Sequence, residues 1–209
     1  MFKKLVIFDF DGVLVNTTDL VLGIMRSTNP HLSDEYLKKM SSGNFYDGLH
    51  HAVTHDGYVL RTDWEELYKD GLKKLTTHDV IRKLVLDLSK DFRLAIVSSS
   101  HSRHIIESLE EENIRDRFEE ILGSDTHARK TIKINQLLTQ YGLQPSETIF
   151  ITDTLGDMRE GNECGVRSIG VTWGLHTREE FEKAEPFAVV DTVPELEAEI
   201  YRFFGTMSA

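Results

Sequence analysis

Leu5-Val6-Ile7-Phe8-Asp9-Phe10-Asp11-Gly12 is the stretch on which the fold turns. Its first four residues are β-branched, branched or aromatic and show no polar alternation. Such a run reads as a strand buried on both faces, the kind found inside parallel sheets. Two carboxylates and a glycine follow at its end, where open α/β sheets place their ligands. For an isolated D-x-D-G, a strand running out into a solvated acidic turn is the better reading.

Working outward, the alternation of strand and helix recurs. Leu94-Ala95-Ile96-Val97 reads as a second buried strand ending in Ser98-Ser99-Ser100, and Glu120-Ile121-Leu122-Gly123 as a short third. Thr148-Ile149-Phe150-Ile151 is a fourth, ending in Thr152-Asp153-Thr154-Leu155-Gly156-Asp157. Ser168-Ile169-Gly170-Val171 and Phe187-Ala188-Val189-Val190 supply two more. Helical faces lie between them: Ile81, Leu84 and Leu88; Ile105, Ile106 and Leu109; Ile134, Leu137, Leu138 and Tyr141 before Gly142; and Leu196, Ile200, Phe203 and Phe204 after Pro194. This order predicts an α/β fold with a doubly wound parallel sheet.

Residues 19–76 show no strand pattern. Leu37 and Met40 follow a capping Ser33; Phe45, Leu49 and Val53 recur every fourth residue, as do Trp64, Tyr68 and Leu72. Asp63 and Glu66 have the spacing of a capping pair. The expected organisation is therefore a core from residues 1–18 and 77–209, with a small all-helical cap, 19–76, inserted after the first strand. Its joints, Asn16-Thr17-Thr18 (with helix-capping side chains) and Thr76-Thr77-His78, lack apolar density and are expected to hinge.

The chain of 209 residues carries a formal net charge of −11, which argues against nucleic acid or an anionic membrane as its partner. Cys164 is the single cysteine, which suits a reducing compartment. Met1-Phe2-Lys3-Lys4 has the look of a leader, but Asp9 and Asp11 interrupt the apolar stretch behind it. With no run of membrane-spanning length, a cytoplasmic protein is expected. A monomer and a homodimer remain equally open.

In a doubly wound sheet the carboxyl ends of the strands share one edge. Asp9 and Asp11, Ser98 and Ser99, Lys130 at a helix start, and Asp153 and Asp157 can therefore converge. Clustered carboxylates call for a hard cation, and Mg²⁺ takes oxygen ligands and is commonly shared with a phosphate. Lys130 and the Ser98 hydroxyl suit the remaining phosphate oxygens. Arg129 and Lys133 compete with Lys130, which is preferred because it opens the helix and shares the inward face of Ile134 and Leu137.

These residues resemble the haloacid dehalogenase superfamily, in its phosphoglycolate-phosphatase-like branch with a helical cap. Asp9-Phe10-Asp11-Gly12-Val13-Leu14-Val15-Asn16-Thr17 is similar to the family's first motif, Ser98 to the second, Lys130 to the third and Asp153-x-x-x-Asp157 to the fourth. The resemblance covers nearly the whole chain. It departs from the family in lacking the usual Lys-Pro pair and in placing Thr152 where glycine is common.

The resemblance implies that Asp9 is a nucleophile forming an aspartyl-phosphate and that Asp11 is the general acid and base. It implies Mg²⁺ on the Asp9 and Asp153 carboxylates and the Asp11 carbonyl, with Asp157 acting through water or orienting Lys130. A Mg²⁺-dependent phosphatase of a small phosphorylated metabolite follows. The competing readings are a phosphomutase of the β-phosphoglucomutase type, which carries histidine where Val21 stands, a receiver-like signalling domain, and a non-catalytic binding protein. Within the cap, Gly43 and Asn44 fall where similar proteins present a specificity loop. Trp64 and Tyr68 read as cap core, and His51 and His55 as a solvated face.

Overall fold

A computed structural model describes residues 4–205; Met1, Phe2 and Lys3, part of the leader-like start, lie outside the described residues. Strand β1 (Leu5–Phe8) is fully buried and occupies the middle of a sheet with β2 (Arg93–Val97), β3 (Glu120–Leu122), β4 (Thr148–Thr152), β5 (Arg167–Val171) and β6 (Ala188–Val190). The strand order is β3-β2-β1-β4-β5-β6 and every pairing is parallel. The chain winds outward first on one side of β1 and then on the other, so the order reverses between β1 and β4. Ligands of open α/β sheets bind at that switch point. Phe8 lies opposite Ile96 on one side and Ile151 on the other. Asp9, Ser98 and Asp153 therefore leave the sheet at nearly one level.

Period-two alternation divides the strand side chains between two apolar layers. Val6, Phe8, Leu94, Ile96, Ile149 and Ile151 pack with helices α5 (Asp79–Leu88), α6 (Ser102–Glu111) and α10 (Val193–Phe203). Leu5, Ile7, Ala95, Val97 and Phe150 pack on the opposite face against α7 (Lys130–Tyr141). Helix α8 (Leu155–Glu163) follows β4, and the short α9 (Arg178–Phe181) follows β5. Among the described residues, no helix is long and apolar enough to cross a membrane.

Between β1 and α5 lie α1 (Thr18–Thr28), α2 (Asp34–Lys39), α3 (Phe45–His55) and α4 (Trp64–Leu72). Ser33 caps α2 as expected, accepting from the Tyr36 amide at 3.1 Å. Four local expectations are corrected. Asp63 does not cap α4, because Arg61 forks onto its carboxylate at 2.7 and 2.6 Å. Val53 is exposed and Ala52 is the buried residue of α3, since the inward stripe drifts from a strict four-residue spacing. Phe187 precedes β6 instead of belonging to it. The joints also lie beside dense packing, because Ile24, Tyr68 and Leu72 belong to the same apolar cluster as Val13, Leu14 and Phe8.

The loop ahead of α3 lies directly on α8. A Cβ on Gly156 would overlap the Gly43 carbonyl oxygen, whereas one on Gly23, inside α1, meets nothing within 4 Å. The two Gly→Ala substitutions should therefore have opposite signs. Gly156→Ala should destabilise the protein by about 1–3 kcal/mol through overpacking. Gly23→Ala should stabilise it by about 0.5–1 kcal/mol through helix propensity. Urea unfolding midpoints measure both, and a Gly156→Ala protein as stable as the wild type or more so would contradict the close approach of Gly43 to α8.

Candidate active site

Gly12 explains how the chain turns after β1. It has φ +69°, and a Cβ there would collide with the Asp153 carboxylate. The turn returns Gly12 N–H to the Val15 carbonyl at 2.8 Å and keeps Asp9 and Asp153 adjacent. Asp9 accepts from the Phe10 amide through Oδ1 and from Lys130 Nζ through Oδ2, both at 2.7 Å. Lys130 Nζ also donates to Asp157 Oδ2 at 2.7 Å. Asp157 sits in the first turn of α8, its amide capped by Thr154 Oγ1 at 3.2 Å. Asp153 Oδ2 accepts from the Leu175 amide at 2.9 Å.

These groups are buried, and their charges fix one another. Burial, opposed by Lys130 and reinforced by Asp157 and Asp153, pushes the Asp9 carboxyl well above the usual carboxylate range. Burial and Asp157 push Asp153 up to about 7. Asp157 feels the same burial, but Lys130 and its hydrogen bonds prevail and hold it low. Burial works against the Lys130 ammonium too, yet Asp157 and Asp9 together raise its pKa above that of an ordinary lysine.

One oxygen from each of Asp9, Asp153 and Asp157 lies within 4.8 Å of the others. Three carboxylates around a single ammonium leave a surplus of negative charge among hard oxygen donors. A divalent metal ion fits that donor set.

Asp11 faces hydroxyl groups. Its Oδ1 accepts from Thr17 Oγ1 and from Tyr68 OH, each at 2.7 Å, and its Oδ2 from Ser100 Oγ at 2.6 Å. Burial and the neighbouring Asp11 push the Tyr68 hydroxyl well above its ordinary pKa, so it stays a donor at neutral pH. Two expectations change here. Tyr68 reaches from α4 to the first motif instead of filling cap core alone, and Thr17 holds Asp11 instead of capping α1.

The remaining expected residues separate. Ser98 is fully buried, its Oγ accepting from the Ser100 amide at 3.0 Å, while Ser99 lies on the wall of the cavity that opens over Asp9. Lys133 turns to the Ser98 and Gly123 carbonyls at 2.5 and 3.2 Å, which leaves Lys130 as the lysine beside Asp9. Thr152 donates to Asp157 Oδ2 at 3.1 Å. Gly43 lines the cavity. Asn44 instead caps α3 and donates to Glu160 Oε2 at 3.0 Å. His51 and His55 stack on each other at 4.5 Å on an exposed face.

Sequence reasoning passed over Glu160, a buried carboxylate whose Oε1 accepts from the Lys130 amide at 2.9 Å. It supplies the cap that Arg129 does not give α7. Its position one helical turn after Asp157 was the available signal.

The haloacid dehalogenase-like hydrolase family model matches residues 6–171. The chain belongs to this family of hydrolases. A phosphoglycolate phosphatase from Vibrio vulnificus is 26% identical over 190 residues, covering 87% of this chain and 75% of the relative. A probable phosphatase from Dickeya dadantii is 25% identical over 211 residues, covering 93% and 92%. The solved structure of a haloacid dehalogenase-like hydrolase from Streptococcus pneumoniae superposes with a TM-score of 0.76 at 20% identity, covering 94% of this chain and 98% of that one. At that identity the likeness concerns the fold.

In this dehalogenase-like hydrolase, Lys133 carries a measurable signature of its burial. Burial first, then repulsion from Lys130, pushes its amine down to about 8, against the attraction of Asp9, Asp157 and Glu160. An unfolded lysine titrates near ~10.4. Between those values the unfolded chain holds the extra proton, so stability rises with pH. The penalty is full below the folded value and gone above the unfolded one. The unfolding free energy of the wild type minus that of Lys133→Met should grow by about 3 kcal/mol across this window. The carbonyls stripped by the substitution contribute a constant that cancels. Urea titrations at a series of pH values measure the difference, and a flat profile would refute the burial of a charged amine.

Proposed function

We propose that the protein is a Mg²⁺-dependent phosphatase of small phosphorylated metabolites that works through an aspartyl-phosphate on Asp9. The observation that carries this reading is the pairing of two unlike carboxylates beside one cavity. Asp9 is bound to Lys130, and Asp11, two residues on, is held by three hydroxyls. The relatives' phosphatase names support it.

In the first step the Asp9 carboxylate attacks phosphorus, the bond from phosphorus to the ester oxygen breaks, and protonated Asp11 gives its proton to the departing alkoxide. In the second, water attacks the same phosphorus and passes its proton to Asp11. The bond between Asp9 and phosphorus breaks, and inorganic phosphate leaves. Lys130 neutralises Asp9 and shares the phosphoryl charge, with Ser99 on the cavity wall as a donor and buried Ser98 holding the turn after β2. Mg²⁺, held by Asp9 and Asp153 with the Asp11 carbonyl and supported by Asp157, supplies Lewis-acid charge stabilisation when bound.

Residues 19–76 act in this reading as a lid that excludes water from the leaving-group side. Val21, where a β-phosphoglucomutase-type enzyme carries histidine, is an apolar wall residue, which supports hydrolysis over phosphoryl transfer within the substrate. The lone cysteine fits a cytoplasmic enzyme.

Phosphate release from a panel of phosphomonoesters tests the proposal. Asp9→Asn should abolish both release and phosphoenzyme formation, excess chelator should stop turnover, and Asp153→Asn should weaken Mg²⁺ binding. Phosphate release by Asp9→Asn at the wild-type rate would refute the nucleophile. Asp11→Asn should retain metal binding and lose on the order of 10²- to 10⁴-fold in rate. A loss of only a few-fold would mean that the proton is carried elsewhere.

A further inference from the structure

We infer that the leaving group this site accepts is neutral and predominantly apolar, an aryl or alkyl alcohol in place of a small hydroxy acid; the inference rests on the phosphatase reading above. The cavity over Asp9 and Asp11 has a volume of about 320 Å³. Polar side chains line it in part, but most of its lining surface is apolar, with Val21, Met25, Phe45, Leu49, Trp64 and Leu175 on the wall. Glycolate, a two-carbon acid, would leave most of that apolar surface facing water. An aromatic ring or a short alkyl chain would cover it, with a gain of roughly 25 cal/mol per Å² of apolar surface removed from water.

The polar groups on the wall point the same way, because each basic side chain already faces a carboxylate. Lys130 lies between Asp9 and Asp157. Arg61 forks onto Asp63 and sends its remaining Nη to Ser27 Oγ at 2.9 Å. The hydrogen bonds from Arg61 hold the Asp63 carboxyl below its ordinary range. His104 Nε2 meets Glu65 Oε2 at 2.7 Å, and His101 Nδ1, 3.7 Å from Asp125, accepts from the Arg103 amide at 3.2 Å.

A carboxylate on the leaving group would therefore enter a largely apolar chamber in which Glu65 repels it and the basic side chains already face acids. Burying a charge without a partner is costly. The segment that carries Arg61 is pinned in place. Buried Asn29 accepts from the Val59 amide at 2.7 Å and donates to the Val59 carbonyl at 3.2 Å. Leu60 and Arg61 are thus presented by a core amide.

The test compares kcat/KM for benzyl phosphate, hexyl phosphate, glycerol phosphate and phosphoglycolate, with Asp9→Asn as the control for each. Benzyl and hexyl phosphate should exceed phosphoglycolate by roughly tenfold or more. Leu60 lies on the wall and is 56% exposed, so a charge there is tolerated by the fold. Leu60→Lys should shift the ratio of phosphoglycolate to benzyl phosphate upward by about two- to fivefold. Calorimetry with non-hydrolysable benzylphosphonate and phosphonoacetate reads the same preference without turnover, and benzylphosphonate should bind more tightly. Asp9-dependent turnover that favours phosphoglycolate or glycerol phosphate, or treats all four alike, would overturn the apolar class and leave the phosphatase reading intact. No release from any ester by the folded protein would remove the phosphatase reading and this inference together.

Discussion

The Lys130 ammonium, held between Asp9 and Asp157, is the interaction on which the site depends. It ties the end of β1 to the starts of α7 and α8, three elements far apart in sequence. A buried ion pair is weak evidence for stability, since apolar replacements of similar volume are often neutral or better, while removal of one partner costs roughly 3–5 kcal/mol. The cluster is thus best understood through what it sets up. One ammonium cannot neutralise three carboxylates, and the oxygen donors left over suit a divalent cation. The same ammonium keeps Asp157 ionised while Asp9 and Asp153 are pushed the other way. Environment differentiates three chemically identical groups.

Parallel pairing makes this possible without strain in the strands. Because β1 is flanked in register by β2 and β4, the residues following each strand emerge side by side at the switch point. Four buried residues in β1 hold Asp9 more firmly than a loop would. The glycine at residue 12 then lets the chain turn tightly enough for Asp153 to approach.

The sheet and the first motif were legible in the sequence because each depends on local patterning. Apolar runs without alternation mark doubly buried strands, and the acids sit directly at their ends. In the sequence Lys130 is preferred to Lys133 because it opens the helix and shares its inward face. Both are buried one turn apart, however, and only the contacts across the fold send Lys130 to Asp9 and Lys133 to the Ser98 and Gly123 carbonyls. Tyr68, Ser100 and Glu160 were not legible, because their roles arise from contacts across the fold. Tyr68 lies 57 positions from Asp11, and Asn44 lies 116 from Glu160. Tyr68 also satisfies an ordinary amphipathic helix pattern, so nothing local distinguishes its hydroxyl from one turned to solvent. Thr17 offered a capping residue at a helix start, and a nearby carboxylate was a stronger acceptor than the helix amides were donors.

Two of the contacts between the helical segment and the rest of the chain differ in their consequences for any movement between them. Asn44 reaches Glu160 through Oε2, whereas the Lys130 amide uses Oε1. Separation of the segment would break the first bond and leave the second, so the lysine would keep its place. Tyr68 is different, because it binds Asp11 itself. Loss of that bond would leave Asp11 with Thr17 and Ser100, both outside α1–α4. The Lys130 amide therefore keeps its acceptor without Asn44, whereas Asp11 would lose one of its three donors with α4. Such an arrangement lets Lys130 stay beside Asp9 whether or not Asn44 is docked, while the full hydrogen-bonding of the proposed acid exists only when α4 is in place.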